Sequence, residues 1–151
     1  MPEIKKKDKI WFSIVICCYN SEEFIEETIK SILSQNYEFW ELLIIDDGSQ
    51  DKTKIIIENF IKHNKKIKYF FKDNNGFASA RNYALKKAIY DWIVILDHDD
   101  LALPNRLRIH SDQIKNKTNA KLFFGDTIHF KGDKIIKKNF DIFDLNRIFL
   151  D

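Results

Sequence analysis

Two groups of aspartates are the residues whose type and spacing suggest chemistry. Asp46 and Asp47 follow one apolar run, and Asp97, Asp99 and Asp100 follow another. Clustered carboxylates repel one another unless a cation or hydrogen-bond donors compensate. In an extended backbone Asp97 and Asp99 would lie on the same side, roughly 6–7 Å apart, so one can bind a divalent ion while the other accepts hydrogen bonds from ligand hydroxyls. Such oxygen ligands favour Mg²⁺ or Mn²⁺, with phosphate oxygens completing the shell.

Helix capping is the alternative interpretation of both groups. Asp99 or Asp100 could cap a helix whose first turn contains Pro104, and residues 46–49 could form a turn followed by a cap. A cap needs one carboxylate and the second group has three, so we favour a metal site there. For the first group both interpretations stay open.

A third segment, residues 75–82, combines the turn residues Asn75 and Gly76 with a helix start that carries small side chains and Arg81. A helix N-terminus favours anions, and an arginine adds positive charge suited to a diphosphate. An ordinary capped helix with a surface arginine is the alternative. The acidic groups nearby in the predicted fold favour the diphosphate interpretation.

The elements that must position these residues alternate between apolar runs and helical segments. Strands are predicted over residues 11–18, 42–45, 67–71 and 92–96, and helices over 25–33, 51–62 and 80–88 and after Pro104. Asn20 and Glu23 have the spacing of a helix N-terminal capping pair. This alternation predicts an α/β fold with a mainly parallel sheet and helices on both faces. Residues 122–130 and 134–140 add a C-terminal β-hairpin.

The polar groups each follow a strand, so they share the carboxyl edge of the sheet, where open α/β sheets bind ligands. The 151 residues suit one domain, over 11–151, after a basic tail at residues 1–10. A net charge of +2 gives no reason to expect a nucleic-acid partner. Adjacent Cys17 and Cys18 cannot build a disulfide framework, which indicates a reducing cytoplasm.

In this order and spacing the segments resemble glycosyltransferase family 2, whose members are inverting, nucleotide-sugar-dependent enzymes with a Rossmann-like GT-A fold. Residues 13–20 resemble the family's first strand and its Tyr-Asn ending, and residues 46–49 match its DDGS turn. Residues 74–82 match its NxGxxxARN segment, and residues 97–100 match its DxDD segment. The resemblance covers about residues 12–130, most of the chain.

The resemblance implies a binding site for a nucleotide-sugar donor, usually a UDP-sugar. One group of residues would contact the base: the carboxylate of Asp47 with its neighbour Asp46, and the backbone of Cys17, Cys18 and Tyr19. A second group would lie around the phosphates and the sugar: Asn75, Gly76, Arg81 and Asp97, the last toward ribose or sugar hydroxyls. Asp99 would bind the Mn²⁺ or Mg²⁺ that bridges the diphosphate, with Asp100 in support. His98, between Asp97 and Asp99, is expected to be exposed to solvent.

The implied reaction is transfer of the sugar, with inversion, to a saccharide or lipid-linked acceptor in bacterial surface polysaccharide or lipooligosaccharide synthesis. Such a transfer needs a general base, which in the family lies in a Glu-Asp segment beyond the DxDD region. The downstream aspartates, Asp126, Asp141, Asp144 and Asp151, lie in no matching motif. We therefore interpret the chain as the donor-binding portion of a longer transferase, truncated before the acceptor and base segment, with its catalytic base unassigned.

Three further interpretations concern function and one concerns location. A nucleotide-sugar-binding fragment without transfer activity would share every donor-site residue. A nucleotidyltransferase would also use paired aspartates and Mg²⁺, but the Gly-rich, Arg-bearing loop expected after the first strand is replaced by residues 19–22. A phosphoacceptor receiver domain leaves residues 75–82 unexplained. Lysines 5–7 and Lys9 could contact anionic lipid, which would place a cytoplasmic protein at the inner face of the membrane, but we favour a solvated tail.

Overall fold

The computed structural model describes residues 9–117, 119–123, 127–131 and 134–139. Most of the predicted basic tail lies outside the described residues, as do Asp126, Asp141, Asp144 and Asp151. The chain divides into two compact units, Met1–Thr118 and Asn119–Asp151, each described here by itself. The candidate donor-site residues, which run from Cys17 to Asp100, all lie in the first unit.

The first unit alternates four strands with four helices. The strands are β1 (Phe12–Cys18), β2 (Trp40–Asp46), β3 (Ile67–Phe71) and β4 (Trp92–Ile95). The helices are α1 (Ile25–Leu33), α2 (Thr53–Ile61), α3 (Phe77–Lys87) and α4 (Arg106–Asn116). In the second unit, β5 (Thr127–Lys131) and β6 (Lys134–Asn139) form an antiparallel hairpin. The predicted α/β class and the C-terminal hairpin are confirmed.

The four strands form one parallel sheet in the order β3-β2-β1-β4. The order reverses between β1 and its two neighbours, β2 and β4, which makes the carboxyl end of β1 a topological switch point. Every residue of β1 and β2 is buried, as expected for central strands covered on both faces. The residues after β1, β2 and β4 therefore converge on one edge of the sheet.

Alternate residues of the strands build two apolar layers. Val15, Cys17, Leu43 and Ile45 pack with two small residues of α3, Ala80 and Ala84, in one cluster. Because successive side chains of a strand point to opposite faces, Ile14, Ile16, Leu42 and Ile44 must be covered from the other side. Helices α1 and α2 contact each other and bury Ile25, Ile29 and Ile57, which assigns them to that face.

A polar network crosses the sheet near its amino-terminal edge. Glu41, on β2, is buried, and its carboxylate accepts hydrogen bonds from the Ser13 hydroxyl (2.7 Å), the Lys68 ammonium (2.7 Å) and the Ile89 amide (3.0 Å). The Ser13 oxygen in turn accepts from the Tyr90 amide (3.2 Å). The network thus joins β1, β2 and β3 to the turn between α3 and β4.

The main differences from the sequence predictions lie at the starts of α1, α3 and β5. The capping pair Asn20–Glu23 is wrong: α1 begins at Ile25 with no side-chain cap, because the Asn20 side chain bonds to another loop. Helix α3 begins at Phe77, three residues before the predicted start, directly after Gly76. Strand β5 begins at Thr127 rather than at residue 122. Among the described residues, no helix is both long enough and apolar enough to cross a bilayer.

Candidate functional site

The loops that follow β1 and β2 are fastened together by side chains that bond to each other's backbone. Asn20 adopts a left-handed conformation (φ 48°), its amide donates to the Ser49 hydroxyl (2.9 Å), and its Oδ1 accepts from the Gln50 amide (2.9 Å). Asp51 accepts from the Glu22 amide (3.0 Å), while Glu22 accepts from the Lys52 amide (2.9 Å). These reciprocal bonds fix one wall of the site.

Asp46 lies at the end of β2 with its carboxylate fully buried. One oxygen accepts from the Ser49 amide (2.8 Å) and the other from the Tyr69 hydroxyl (2.8 Å). Burial raises the pKa of the Tyr69 hydroxyl, and the neighbouring Asp46 raises it further. Both Asp46 oxygens thus hold the turn in shape, and the turn interpretation left open by the sequence applies to this residue. Its predicted base contact would come through this turn.

Asp47 is the second buried carboxylate of the turn, and its partners come from the segment after β3. Its Oδ1 accepts a hydrogen bond from the Lys72 ammonium, and the Asn75 amide lies 3.2 and 3.3 Å from its two oxygens. Burial raises the pKa of Asp47, but the Lys72 hydrogen bond and the Asn75 amide outweigh that effect, so the pKa lies below its usual value. Asp47 is therefore a fixed, ionised acceptor.

Two glycines shape the space beside Asp47. Gly48 has φ 89°, and a Cβ there would come within 3.0 Å of the Asn74 amide nitrogen, so the turn packs directly on the next loop. Gly76 has φ 82°, immediately precedes α3, and would have open space around an added Cβ. Residues 75–78 are all exposed, so solvent reaches the N-terminus of α3. The first-turn amides of a helix have no partner within the helix, and together with the helix dipole they favour a bound anion.

Arg81 connects α3 to the group of acids after β4. Its guanidinium donates to the Asp97 carboxylate (2.9 Å), and both side chains are about half exposed. One turn earlier, the Phe77 ring stacks on the His98 imidazole at 6.3 Å and 7°. The expectation of an exposed His98 is wrong: it is half-buried, because Phe77 covers it and its carbonyl accepts from the Thr28 hydroxyl (2.8 Å).

Cys17, the second-last residue of β1, lies within electrostatic reach of four charged groups of the site. Burial raises the pKa of its thiol to about 11; Asp47 and Asp97 raise it too, and Arg81 and Lys72 oppose them. Four charges from four different segments therefore act on this one buried atom. The thiol itself is a small packing group at neutral pH. Tyr19, two residues on, is 40% exposed at the site's edge.

The acidic residues after β4 could hold a divalent cation only together with ligands from outside this group. Asp99 is exposed, Asp97 is shared with Arg81, and the Asp100 carboxylate acts on the Arg106 guanidinium. No group of three or more His, Cys, Asp or Glu side chains that could hold a metal occurs among the described residues. Mg²⁺ and Mn²⁺ suit such a site, since one or two carboxylates can bind them when substrate phosphates and water complete the shell.

The structure thus brings the predicted residues to one edge of the sheet, where Asp47 contacts the segment just before α3 and Asp97 contacts Arg81 in the second turn of α3. Lys72 is the site residue that the sequence analysis missed. Its position directly after β3, at the same edge as the other clusters, was the signal that could have found it. Two concavities, of about 550 Å³ beside α2 and β3 and about 500 Å³ near Lys9 and Arg108, lie apart from these residues.

Comparison with protein families and curated proteins shows which proteins this chain resembles. Residues 13–141 match the family model of glycosyl transferase family 2. An uncharacterized glycosyltransferase of Rickettsia typhi is 38% identical over 124 residues, 82% of this chain and 36% of that protein. A putative teichuronic acid biosynthesis glycosyltransferase of Bacillus subtilis, TuaG, is 32% identical over 114 residues, 75% of this chain and 45% of that protein. This chain thus spans less than half the length of either.

Solved structures share the fold. Staphylococcus aureus TarS 1-349 in complex with UDP-GlcNAc superposes with a TM-score of 0.68 at 30% identity, over 72% of this chain and 32% of that one. The Pyrobaculum calidifontis mannosyltransferase PcManGT, in complex with GDP-Man and Mn²⁺, gives a TM-score of 0.61 at 26% identity, over 69% and 31%. The expected GT-A fold is confirmed, and the chain belongs to glycosyl transferase family 2.

Proposed function

We propose that this chain binds a nucleotide sugar, a UDP-sugar in the first instance, as the donor-binding part of an inverting glycosyltransferase. The observation that carries the proposal is that Asp47 and Asp97, which follow β2 and β4, both contact the segment that starts α3, Asp47 through the Asn75 amide and Asp97 through the Arg81 guanidinium. The ionised acceptor suits a nucleobase, the anion-binding helix end suits a diphosphate, and the exposed carboxylates suit the hydroxyls of a sugar. UDP-GlcNAc in TarS supports the choice of donor class.

In this arrangement the base lies against Asp47 and the backbone of Cys17 and Tyr19. The diphosphate lies at the N-terminus of α3, near Asn75 and Gly76, where Arg81 adds charge. Arg81 also holds Asp97 in position for ribose or sugar hydroxyls. The nucleotide therefore extends along one edge of the sheet, from the β2 exit to the β4 exit.

A divalent cation, Mn²⁺ or Mg²⁺, completes the proposed site. Asp99 is the residue best suited to hold it, because its carboxylate is exposed beside the Asp97–Arg81 pair. Asp100 supports the turn, since its amide donates to the Asp97 carbonyl (3.1 Å). When bound, the ion stabilises the negative charge of the departing nucleoside diphosphate. Mn²⁺ accompanies GDP-Man in PcManGT.

The acceptor proposed is a saccharide or lipid-linked sugar of a bacterial surface polysaccharide. The relationship to TuaG supports this pathway class. Inversion requires a general base at the acceptor hydroxyl. Because Asp47 and Asp97 are each committed to a basic side chain, we expect that base to lie outside this group of carboxylates. A chain that binds the donor without transferring sugar is the alternative outcome.

Calorimetric titration of UDP, GDP and UDP-GlcNAc, with and without Mn²⁺, tests the proposal. We expect binding that strengthens with Mn²⁺ and an Asp99→Ala variant that loses the metal-dependent increment. Asp91→Ala is the matched control, an exposed aspartate just before the amino-terminal end of the same strand. Failure of the unaltered chain to bind any of the nucleotides would overturn the proposal, and an intact increment in Asp99→Ala would overturn the metal assignment alone.

A location at the inner face of the membrane is part of the same proposal. Trp11 is 39% exposed and stacks on Tyr90 at 4.8 Å, while Lys9 lies 4.3 Å above the Phe39 ring. Indole and lysine side chains side by side suit the interface of an anionic bilayer. Sedimentation with anionic and neutral vesicles tests this, and equal binding to both would refute it.

A further inference from the structure

We propose that Lys72 acts with Asp47 to select the nucleobase, by binding an N–H group flanked by a carbonyl, the edge that uracil and guanine share. The inference rests on the proposed nucleotide-sugar site and adds a specificity-determining residue to it. Neither the motifs in the sequence nor the family match singles out Lys72.

Hydrogen bonds from both its backbone and its side chain fix the position of Lys72. It follows the last residue of β3, and its amide donates to the Asp46 carbonyl (3.0 Å). Its ammonium donates to the Asp47 carboxylate and to the Asp73 carbonyl (2.6 Å). An ammonium carries three donors, so these two hydrogen bonds, the ones found among the described residues, leave one N–H for a ligand.

Asp47 retains the complementary capacity. A carboxylate offers about four acceptor positions, and the donors to Asp47 are the Lys72 ammonium, on Oδ1, and the Asn75 amide, which lies near both oxygens. The Asn75 amide reaches Oδ2 only at 3.3 Å, so this oxygen is the less occupied of the two. An available donor and an available acceptor therefore lie side by side. The Lys72 side chain keeps 15% of its surface exposed and the Asp47 side chain 5%.

This donor–acceptor pair discriminates between bases by whether the facing groups of the base donate or accept hydrogen bonds. Uracil presents N3–H beside O4, and guanine presents N1–H beside O6, which match the carboxylate and the ammonium in turn. Cytosine and adenine present a bare ring nitrogen beside an amino group, so the carboxylate would meet a lone pair and the ammonium would meet another donor. A polar site that meets the wrong partner leaves buried groups unpaired, which is the costly case.

A purely structural ion pair is the competing explanation for the same contact. Buried ion pairs add little stability compared with apolar packing, and Asp46 already holds the turn through Ser49 and Tyr69. A structural role would make Lys72 variants less stable without changing which base binds. Base selectivity, measured as a ratio of dissociation constants, therefore separates the two explanations.

The experiment compares UDP, GDP, CDP and ADP by calorimetry on the full chain. We expect the unaltered protein to bind UDP or GDP at least about tenfold more tightly than CDP and ADP, the worth of one charge-assisted hydrogen bond. Lys72→Met keeps the stem and removes the donors, so the ratio should fall to within about threefold. The UDP and GDP arms show which of the two bases the site takes. Lys68→Met, four residues earlier, removes another paired lysine and should leave the ratio unchanged.

Lys72→Gln protects the test if the methionine variant fails to fold, because its amide keeps N–H donors without the positive charge and should give an intermediate ratio. A ratio in either folded variant equal to that of the unaltered protein would overturn the role of Lys72 while leaving the nucleotide site intact. An unaltered protein that binds all four nucleotides equally would do the same. An unaltered protein that binds none would overturn the proposed function itself.

Discussion

Replacing Glu41 should destabilise the sheet by an amount that follows from its three hydrogen bonds. Glu41→Ala leaves the Ser13 hydroxyl and the Ile89 amide without their acceptor; each loss costs about 1–3 kcal/mol, with Ser13 fully buried. Lys68 adds little, because its side chain is 41% exposed and can turn to water. We therefore expect a loss of about 3 kcal/mol for Glu41→Ala. Glu41→Gln keeps one carbonyl oxygen for both donors and should cost about 1–2 kcal/mol.

Urea unfolding followed by circular dichroism measures these differences as free energies of unfolding. Glu58→Gln is the control: Glu58 is 48% exposed and 3.9 Å from Lys54 in an i,i+4 pair, so its replacement should change stability by less than about 0.5 kcal/mol. If Glu41→Ala were as stable as the Glu58 control, the network would contribute no net stability and the reasoning from its hydrogen bonds would be wrong.

Three further predictions concern pH and the site. The pKa of Glu41 in the folded protein is lowered, because its hydrogen bonds outweigh the effect of burial. Its contribution to the free energy of unfolding is therefore complete above the unfolded pKa of about 4.5 and is lost as the pH falls through the folded pKa. The difference in stability between the unaltered protein and Glu41→Gln should accordingly close in unfolding curves measured in acid. Asn20→Ala should cost about 1–2 kcal/mol in urea unfolding through its left-handed backbone and its bond to Gln50, and Asn20→Asp clearly less. Arg81→Met should change the free energy of unfolding by less than about 1 kcal/mol, since its ion pair is half exposed. The same variant should bind UDP more weakly in calorimetry, and unchanged binding would show that Arg81 is not part of the site.

The order of elements and the edge that carries the site could be predicted because both depend on short-range patterns. Buried apolar runs predicted β1 and β2 to within two residues at either end. Once strands and helices alternate, a parallel sheet brings the residues after each strand to one edge. Asp47, Asp97 and Arg81 could be placed together on that argument alone.

The partners of individual side chains could not be predicted, since they depend on contacts between distant segments. Asn20 has the spacing of a helix cap, but its side chain bonds to Gln50, 30 residues away. Asp46 and Asp47 are adjacent and chemically identical, yet Asp46 accepts hydrogen bonds from Ser49 and Tyr69 and Asp47 accepts one from Lys72. No local pattern separates such a pair of residues.

The interlocked loops after β1 and β2 have a consequence for how affinity is distributed along a bound nucleotide. The side chains of Asn20, Glu22 and Asp51 already bond to backbone amides of the opposite loop. A ligand that binds there therefore orders little additional backbone, and little conformational entropy is lost on binding. The half-exposed Arg81–Asp97 pair has no such bracing from these loops and must give up side-chain freedom on binding. Nucleotide recognition should therefore be rigid at the base and adaptable toward the sugar, which would let one scaffold accept different sugars on an unchanged nucleotide.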